Sequence, residues 1–229
     1  MLDVKNLNVA YGQSQVLHGV DLAVQPGEIV AVVGRNGMGK STLMKSLIGT
    51  IPAKSGEVMI DGMNVAGLPS HARVARGFGY VPQGRQIFGA MTVRENIETG
   101  LVVTGKSEVP EEIYSLFPIL WEFNKRRGGN LSGGQQQQLA IARALASNPK
   151  ILLLDEPTEG IQPSIIKDIA RVLKDIRQLR NLCIVVCEQV LSFILDVADR
   201  IVVMENGRLV HACARADVNE AEIARFLAV

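Results

Sequence analysis

The sequence contains no apolar run approaching the roughly 20 residues that a membrane-spanning helix needs, and its opening, Met1-Leu2-Asp3-Val4-Lys5, mixes charge into an alternating pattern instead of forming a leader. The expected location is cytoplasmic, without secretion. Neither sign of charge is in excess: 24 Lys and Arg stand against 23 Asp and Glu, for a formal net charge of +1. The two signs are interspersed, so no field is directed at nucleic acid or at an anionic membrane surface, and no nucleic-acid partner is expected. Cysteine is scarce, with three in the chain. Cys183 and Cys187 fall in the apolar run 182–187, which reads as a strand; four steps of about 3.3 Å place them ~13 Å apart, too far for a disulfide. Buried free thiols are expected, and the three histidines lie apart from that run, which disfavours a metal site there.

What the sequence does have is apolar content, 47% of 229 residues, enough for one large domain over the whole chain with a smaller lobe. Residues 2–33 alternate with period two, as in Val20-Asp21-Leu22-Ala23-Val24, and read as antiparallel sheet. The runs 29–33, 151–154 and 182–187 are apolar throughout, which suits parallel strands covered on both faces. Between them, 41–48, 136–146 and 164–179 carry apolar residues at helical spacing. The fold class is therefore α/β. Residues 84–130 break the rhythm with glycines, prolines and an amphipathic stretch at 111–123, predicting an inserted helical lobe that extends to residue 146. The glutamines 135–138 read as the exposed first turn of a helix. Asn206-Gly207 predicts a hairpin, and 219–227 a terminal helix.

Gly34-Arg35-Asn36-Gly37-Met38-Gly39-Lys40-Ser41 matches G-x-x-x-x-G-K-[ST] between an apolar strand and a helix that continues with Thr42. Glycines let backbone N–H groups converge on phosphate oxygens, the helix start adds partial positive charge, and Lys40 supplies a point charge. Ser41 is the candidate Mg²⁺ ligand. A second acidic device follows the strand 151–154: Asp155, suited to holding Mg²⁺, and Glu156, suited to activating water as general base. No guanine-reading Asn-Lys-x-Asp is present, since Asn124-Lys125-Arg126-Arg127 lacks the acid.

Leu131-Ser132-Gly133-Gly134-Gln135, followed by a helical segment, provides another anion-binding helix start far from the first in sequence. With the phosphate loop 34–41, Gln83 and the acidic strand 151–156 in this order, the whole chain resembles the ATP-binding cassette family. The resemblance implies a P-loop NTPase fold of three parts: an antiparallel β subdomain, a RecA-like core, and a helical subdomain at 84–146. It implies binding and hydrolysis of Mg-ATP in a head-to-tail dimer, each nucleotide lying between one subunit's phosphate loop and the other's signature 131–135. It also implies that Tyr11 stacks on adenine, that Gln83 senses Mg²⁺ and water, and that Gln189 stands where most relatives carry a histidine near the γ-phosphate. A neutral amide can donate a hydrogen bond but cannot become cationic as imidazole can.

Glu188-Gln189, together with 128–138 and 155–166, resembles the ATPases of branched-chain amino-acid and urea importers, with urea importers the nearer likeness. That resemblance implies a second, non-identical ATPase subunit, two transmembrane permease subunits and, indirectly, a periplasmic solute-binding protein. It places the chain on the cytoplasmic face of the inner membrane; in isolation a homodimer or a monomer is expected. Urea or short amides are the expected solutes, with branched-chain amino acids the alternative and a non-transport soluble cassette a further one. Segment 84–96, with Ile87, Phe88 and Met91, is the candidate dock for the membrane subunits.

Overall fold

A computed structural model describes residues 1–227. The first sheet has four antiparallel strands, in the order β2 (Ser14–Val24), β1 (Leu2–Tyr11), β4 (Ser55–Ile60) and β5 (Met63–Asn64). In β1, Leu2, Val4, Leu7 and Val9 are buried with polar or exposed residues between them, the half-buried alternation read from the sequence. The second sheet has six strands, in the order β10 (Arg208–Ala214), β9 (Arg200–Glu205), β3 (Ile29–Val33), β8 (Cys183–Cys187), β7 (Ile151–Asp155) and β6 (Phe78–Val81). All neighbours are parallel except β9 and β10.

Every residue of β3, β7 and β8 is buried, as strands covered on both faces must be. Successive side chains serve different cores. Leu152 and Leu154 face the helices on one side, whereas Ile151 and Leu153 face the first sheet. Cys183 and Cys187, four residues apart, both point toward the first sheet and form no disulfide. Burial pushes both thiols up, Cys187 well above its ordinary value.

Helix α1 (Lys40–Ile48) follows β3, and α2 (Ser70–Ala75) precedes β6. Residues 84–146 hold four α-helices: α3 (Val93–Leu101), α4 (Glu111–Leu116), α5 (Pro118–Glu122) and α6 (Gly133–Ala146). The amphipathic stretch 111–123 is broken into two short helices because Pro118 forces Phe117 out of the helical region, at φ −131°. Helix α6 begins at Gly133, three residues earlier than the apolar periodicity indicated. Its glutamines are not an exposed turn: Gln137 and Gln138 are buried. The reason is that α6 is covered by α3 on one flank and by β6 and α7 (Pro163–Arg180) on others. Gly100 lets α3 approach so closely that a Cβ there would sit 2.2 Å from the Arg143 carbonyl. Finally α8 (Leu191–Val197) and α9 (Glu220–Leu227) cover β3 and β9 in a third, smaller core.

The turn of the β9–β10 hairpin is Asn206-Gly207, with φ of 45° and 73°, as an Asn-Gly hairpin requires. This turn braces the phosphate loop. Gly207 N–H donates to Met38 O at 2.9 Å, and Gly207 O accepts from His18 N–H at 2.9 Å. A Cβ at Gly207 would lie 1.8 Å from Val16 O, on top of a positive φ. Gly207→Ala is therefore expected to lower stability by about 3 kcal/mol, read as a reduced urea midpoint at unchanged slope.

Candidate functional site

The chain leaves β3 at Val33, turns through residues 34–39 and enters α1 at Lys40. Gly34, Gly37 and Gly39 hold φ of 155°, 79° and 107°, and at Gly34 a Cβ would meet Met204 O at 2.3 Å. Two demands thus fall on that glycine: the backbone conformation and the close approach to β9. The N-cap of α1 is Gly39, which offers no side-chain oxygen to the first turn, so the orphan N–H groups of the helix start remain available to a ligand. They open onto a pocket of about 230 Å³ lined by Asn36, Gly37, Gly39, Lys40, Ser41, Thr42, Gln83, Glu156 and Val16.

Lys40 is 4% exposed. Its Nζ donates to Gly34 O at 2.6 Å and Arg35 O at 2.9 Å, and lies 4.0 Å from Glu156 Oε1. The ammonium is thereby fixed over the loop. Arg35 presents its side chain to solvent and uses its carbonyl in the loop. Met38 serves the loop's own fold: its side chain packs on the core beneath, and its sulfur accepts from Asn206 N–H at 3.3 Å.

The acidic pair sits where β7 ends beside β8. Asp155 is 1% exposed and stands opposite Cys187 in the ladder, and Glu156 N–H then donates to Cys187 O at 2.9 Å. Beyond that bond the chain turns sharply, with Glu156 at φ +49°. Asp155 Oδ1 accepts from Ser41 Oγ at 3.1 Å, while Oδ2 is buried with no partner. Desolvation raises the Asp155 pKa, the Ser41 bond opposes that shift, and the Glu156 charge adds to it. A serine hydroxyl beside a desolvated carboxylate with an oxygen to spare is a hard-oxygen donor set, and it fits Mg²⁺ held partly by phosphate oxygens and water. Among the described residues no group of three or more His, Cys, Asp or Glu could hold a metal alone.

Two neutral amides grip the Glu156 carboxylate. Gln83 Nε2 donates to Oε2 at 3.1 Å, and Gln189 Nε2 donates to Oε1 at 2.9 Å and to Asn36 Oδ1 at 2.8 Å. Gln83 thus reaches the general-base candidate, and no bond from it to Asp155 or Ser41 occurs among the described residues. Gln189 ties Glu156 to the phosphate loop. Tyr11 lies at the rim, half exposed, its hydroxyl 3.5 Å from Thr42 Oγ1.

The signature residues stand elsewhere. Ser132 caps α6, accepting from Gln135 N–H at 3.4 Å while Gln135 Oε1 accepts from Ser132 N–H at 2.9 Å. Leu131 is buried below, Gly134 lies against Ile165, and the Arg85 guanidinium approaches Gly133. None of residues 131–135 lines the phosphate-loop pocket.

Two contributors escaped the sequence reading. Val16, at the start of β2, forms one wall of the pocket, on a strand held by β1 and by the β9–β10 hairpin. Glu188 is 3% exposed, yet its Oε2 accepts from Thr158 N–H and Oγ1 at 3.1 and 2.7 Å, and its Oε1 from Gln189 and Val190 N–H at 2.7 and 3.2 Å. It joins the loop after β7 to the loop after β8, and so sets where Gln189 stands. A charged residue closing an apolar strand was the available signal.

Residues 17–159 match the sequence family described as ABC transporter. The chain belongs to that family. It is an ATPase of the cassette type, whose members hydrolyse ATP to drive transport. Among curated relatives, the high-affinity branched-chain amino acid transport ATP-binding protein BraG of Pseudomonas aeruginosa is 41% identical over 213 residues, 92% of this chain and 91% of BraG. The lipopolysaccharide export system ATP-binding protein LptB of Escherichia coli K12 is 35% identical over 214 residues, 91% of this chain and 88% of LptB. Among solved structures, a dimeric ATP-binding cassette in a post-hydrolysis state, bound to ADP and Pi, superposes with a TM-score of 0.84 at 27% identity, covering 94% of this chain and 99% of that one. The cassette fold expected from the motifs is thus the fold observed.

Two measurements bear on this geometry. Glu156→Gln should lower ATP turnover by about 10²-fold or more, the scale of a lost general base, and Gln189→Ala by about tenfold, because Gln83 still holds the carboxylate; equal losses in a steady-state assay would reverse that ordering. Asp155→Asn should stabilise the metal-free chain by about 1 kcal/mol in thermal unfolding at neutral pH, since it removes a carboxylate whose charge is penalised by desolvation.

Proposed function

We propose that this cassette is the ATP-binding subunit of a solute importer of the branched-chain amino-acid type, and that it hydrolyses Mg-ATP in a composite site completed by a second ATPase subunit. The observation carrying the composite site is the separation just described: the signature helix start, a phosphate-binding device, lies outside the pocket of the phosphate loop. Tyr11 offers a ring to the adenine, residues 34–42 wrap the phosphates, and Lys40 carries charge against them. Glu156 accepts the proton of the attacking water, held in orientation by Gln83 and Gln189. Ser41 and Asp155 hold magnesium, which supplies charge neutralisation on the phosphate oxygens when bound. Residues 131–135 contact the nucleotide of the opposite subunit.

The solute class draws on the relatives named for branched-chain amino-acid transport, BraG and the probable LivF of Archaeoglobus fulgidus, the latter 37% identical over 91% of this chain. The urea and short-amide reading rests on loops 128–138 and 155–166 alone, and the relatives' names do not favour it. LptB, a lipopolysaccharide-export protein, is nearly as similar, which accords with solute choice residing in permeases and a periplasmic binding protein. No helix among the described residues is long and apolar enough to cross a membrane, so two permease subunits would supply the passage, with this chain on their cytoplasmic face.

For docking, the 84–96 segment offers Phe88, 49% exposed, on a cleft of about 570 Å³ whose far side carries Ile48, Thr50 and Val74. Ile87 packs inward against the lobe core instead. Asn96, fully buried, holds Phe88 in place by accepting from its N–H at 2.8 Å and donating to its carbonyl at 2.9 Å.

In the reconstituted importer, leucine should stimulate ATP hydrolysis and urea or acetamide should not; stimulation by urea alone would restore the urea reading. Ser132→Arg should cut turnover of the assembled complex at least tenfold while leaving nucleotide affinity of the isolated chain unchanged. An equal loss of affinity in the isolated chain would place the signature in its own subunit's site and end the composite reading.

A further inference from the structure

Two buried polar atoms at the edge of this site complete no hydrogen bond: the Tyr80 hydroxyl and Asp155 Oδ2. Both belong to neighbouring strands of one ladder. Tyr80 on β6 pairs with Leu153 on β7, and Asp155 follows Leu153 by two residues. Period two puts all three on the same face of the sheet, with Tyr80 and Asp155 as diagonal neighbours, a separation of roughly 7 Å that a phenol can span. The face is the one turned toward the first sheet, where Leu153 is fully buried and Tyr80 packs beside it. Asp155 uses its other oxygen, Oδ1, for Ser41. What remains is one uncommitted donor beside one uncommitted acceptor, in surroundings where leaving either unpaired is costly.

We propose that Tyr80 is a positioning residue for Asp155. Its hydroxyl donates to Oδ2, directly or through one water, and fixes the rotation of the carboxylate so that a single orientation is presented beside Ser41. Groups behind a metal-binding carboxylate control its affinity in this way. The inference rests on the reading of Asp155 as the magnesium carboxylate, and the sequence offered no sign of it, because Tyr80, three residues before Gln83, belongs to no motif.

The test is Tyr80→Phe, which keeps the ring and its packing and removes only the hydroxyl. Thermal unfolding should show an intact fold. Mn²⁺ binding to the ADP-bound chain, followed by electron paramagnetic resonance, should weaken about tenfold, and the Mg²⁺ concentration for half-maximal hydrolysis should rise by a similar factor. ADP affinity without metal should not change, and turnover at saturating Mg²⁺ should fall less than metal affinity does. If the Phe variant binds Mn²⁺ like the parent while Asp155→Asn loses it, the role of Tyr80 is wrong and that of Asp155 stands. If Asp155→Asn also retains Mn²⁺, the magnesium reading of Asp155 fails, and this inference with it. A matching loss of metal-free ADP affinity in the Phe variant would show a general structural effect and overturn the proposal.

Discussion

The hydrogen bond from Glu156 N–H to Cys187 O is the last rung between β7 and β8, and the arrangement of the catalytic edge depends on it. Up to that rung the two strands are fully buried and evenly paired. Beyond it, one chain turns toward the phosphate loop and the other toward Gln189. Because β3 pairs with β8 on its other side, Val32 standing opposite Cys187, the phosphate loop starts from the same level. Three loops from distant parts of the sequence therefore leave the sheet together, the general reason that the carboxyl edge of a parallel sheet gathers ligands. A slip of one residue in this register would exchange the two faces of β7 and carry Asp155 away from Ser41.

The edge is held together by polar groups that the interior tolerates only when they are paired. Glu188 accepts four bonds within two loops, and Lys40 donates to two carbonyls of its own loop. Strain is concentrated in the same place. Of the eight non-glycine residues with positive φ among the described residues, five are Asn or Asp, which adopt that conformation readily. The other three are Arg85, Gln86 and Glu156: two follow Gln83 closely and the third is the general-base candidate. Each such backbone costs on the order of 1–3 kcal/mol, and the surroundings visibly oppose relaxation. Arg143 donates to Gln86 O at 2.9 Å, and Arg85 reaches Glu159 O at 3.0 Å. Partial burial lowers the pKa of the Arg143 guanidinium.

Much of this was legible in advance where chemistry and local structure coincide. The uniformly apolar runs announced strands buried on both faces, alternation in β1 and β2 announced the first sheet, and the glycines of 34–39 announced a turn that only an anion-binding loop needs. What could not be read is what depends on distant partners. Gln137 and Gln138 look like surface residues until α3, β6 and α7 close around α6. The apolar periodicity of 111–123 read as one stretch, and Pro118 divides it into two helices. Val16 lines the pocket beside a hairpin almost 200 residues later in sequence, whose Gly207 leaves no room for a side chain against the Val16 carbonyl. The bond from Gln83 to Glu156 joins residues 73 apart in sequence, a pairing that only the fold brings about.

The left-handed backbone at Glu156 also bears on how such a chain drifts. At that position a glycine or an asparagine would relieve strain, so stability alone disfavours the carboxylate proposed as general base. The backbone angle at Glu156 thus marks a position where the proposed chemistry and local stability ask for different residues.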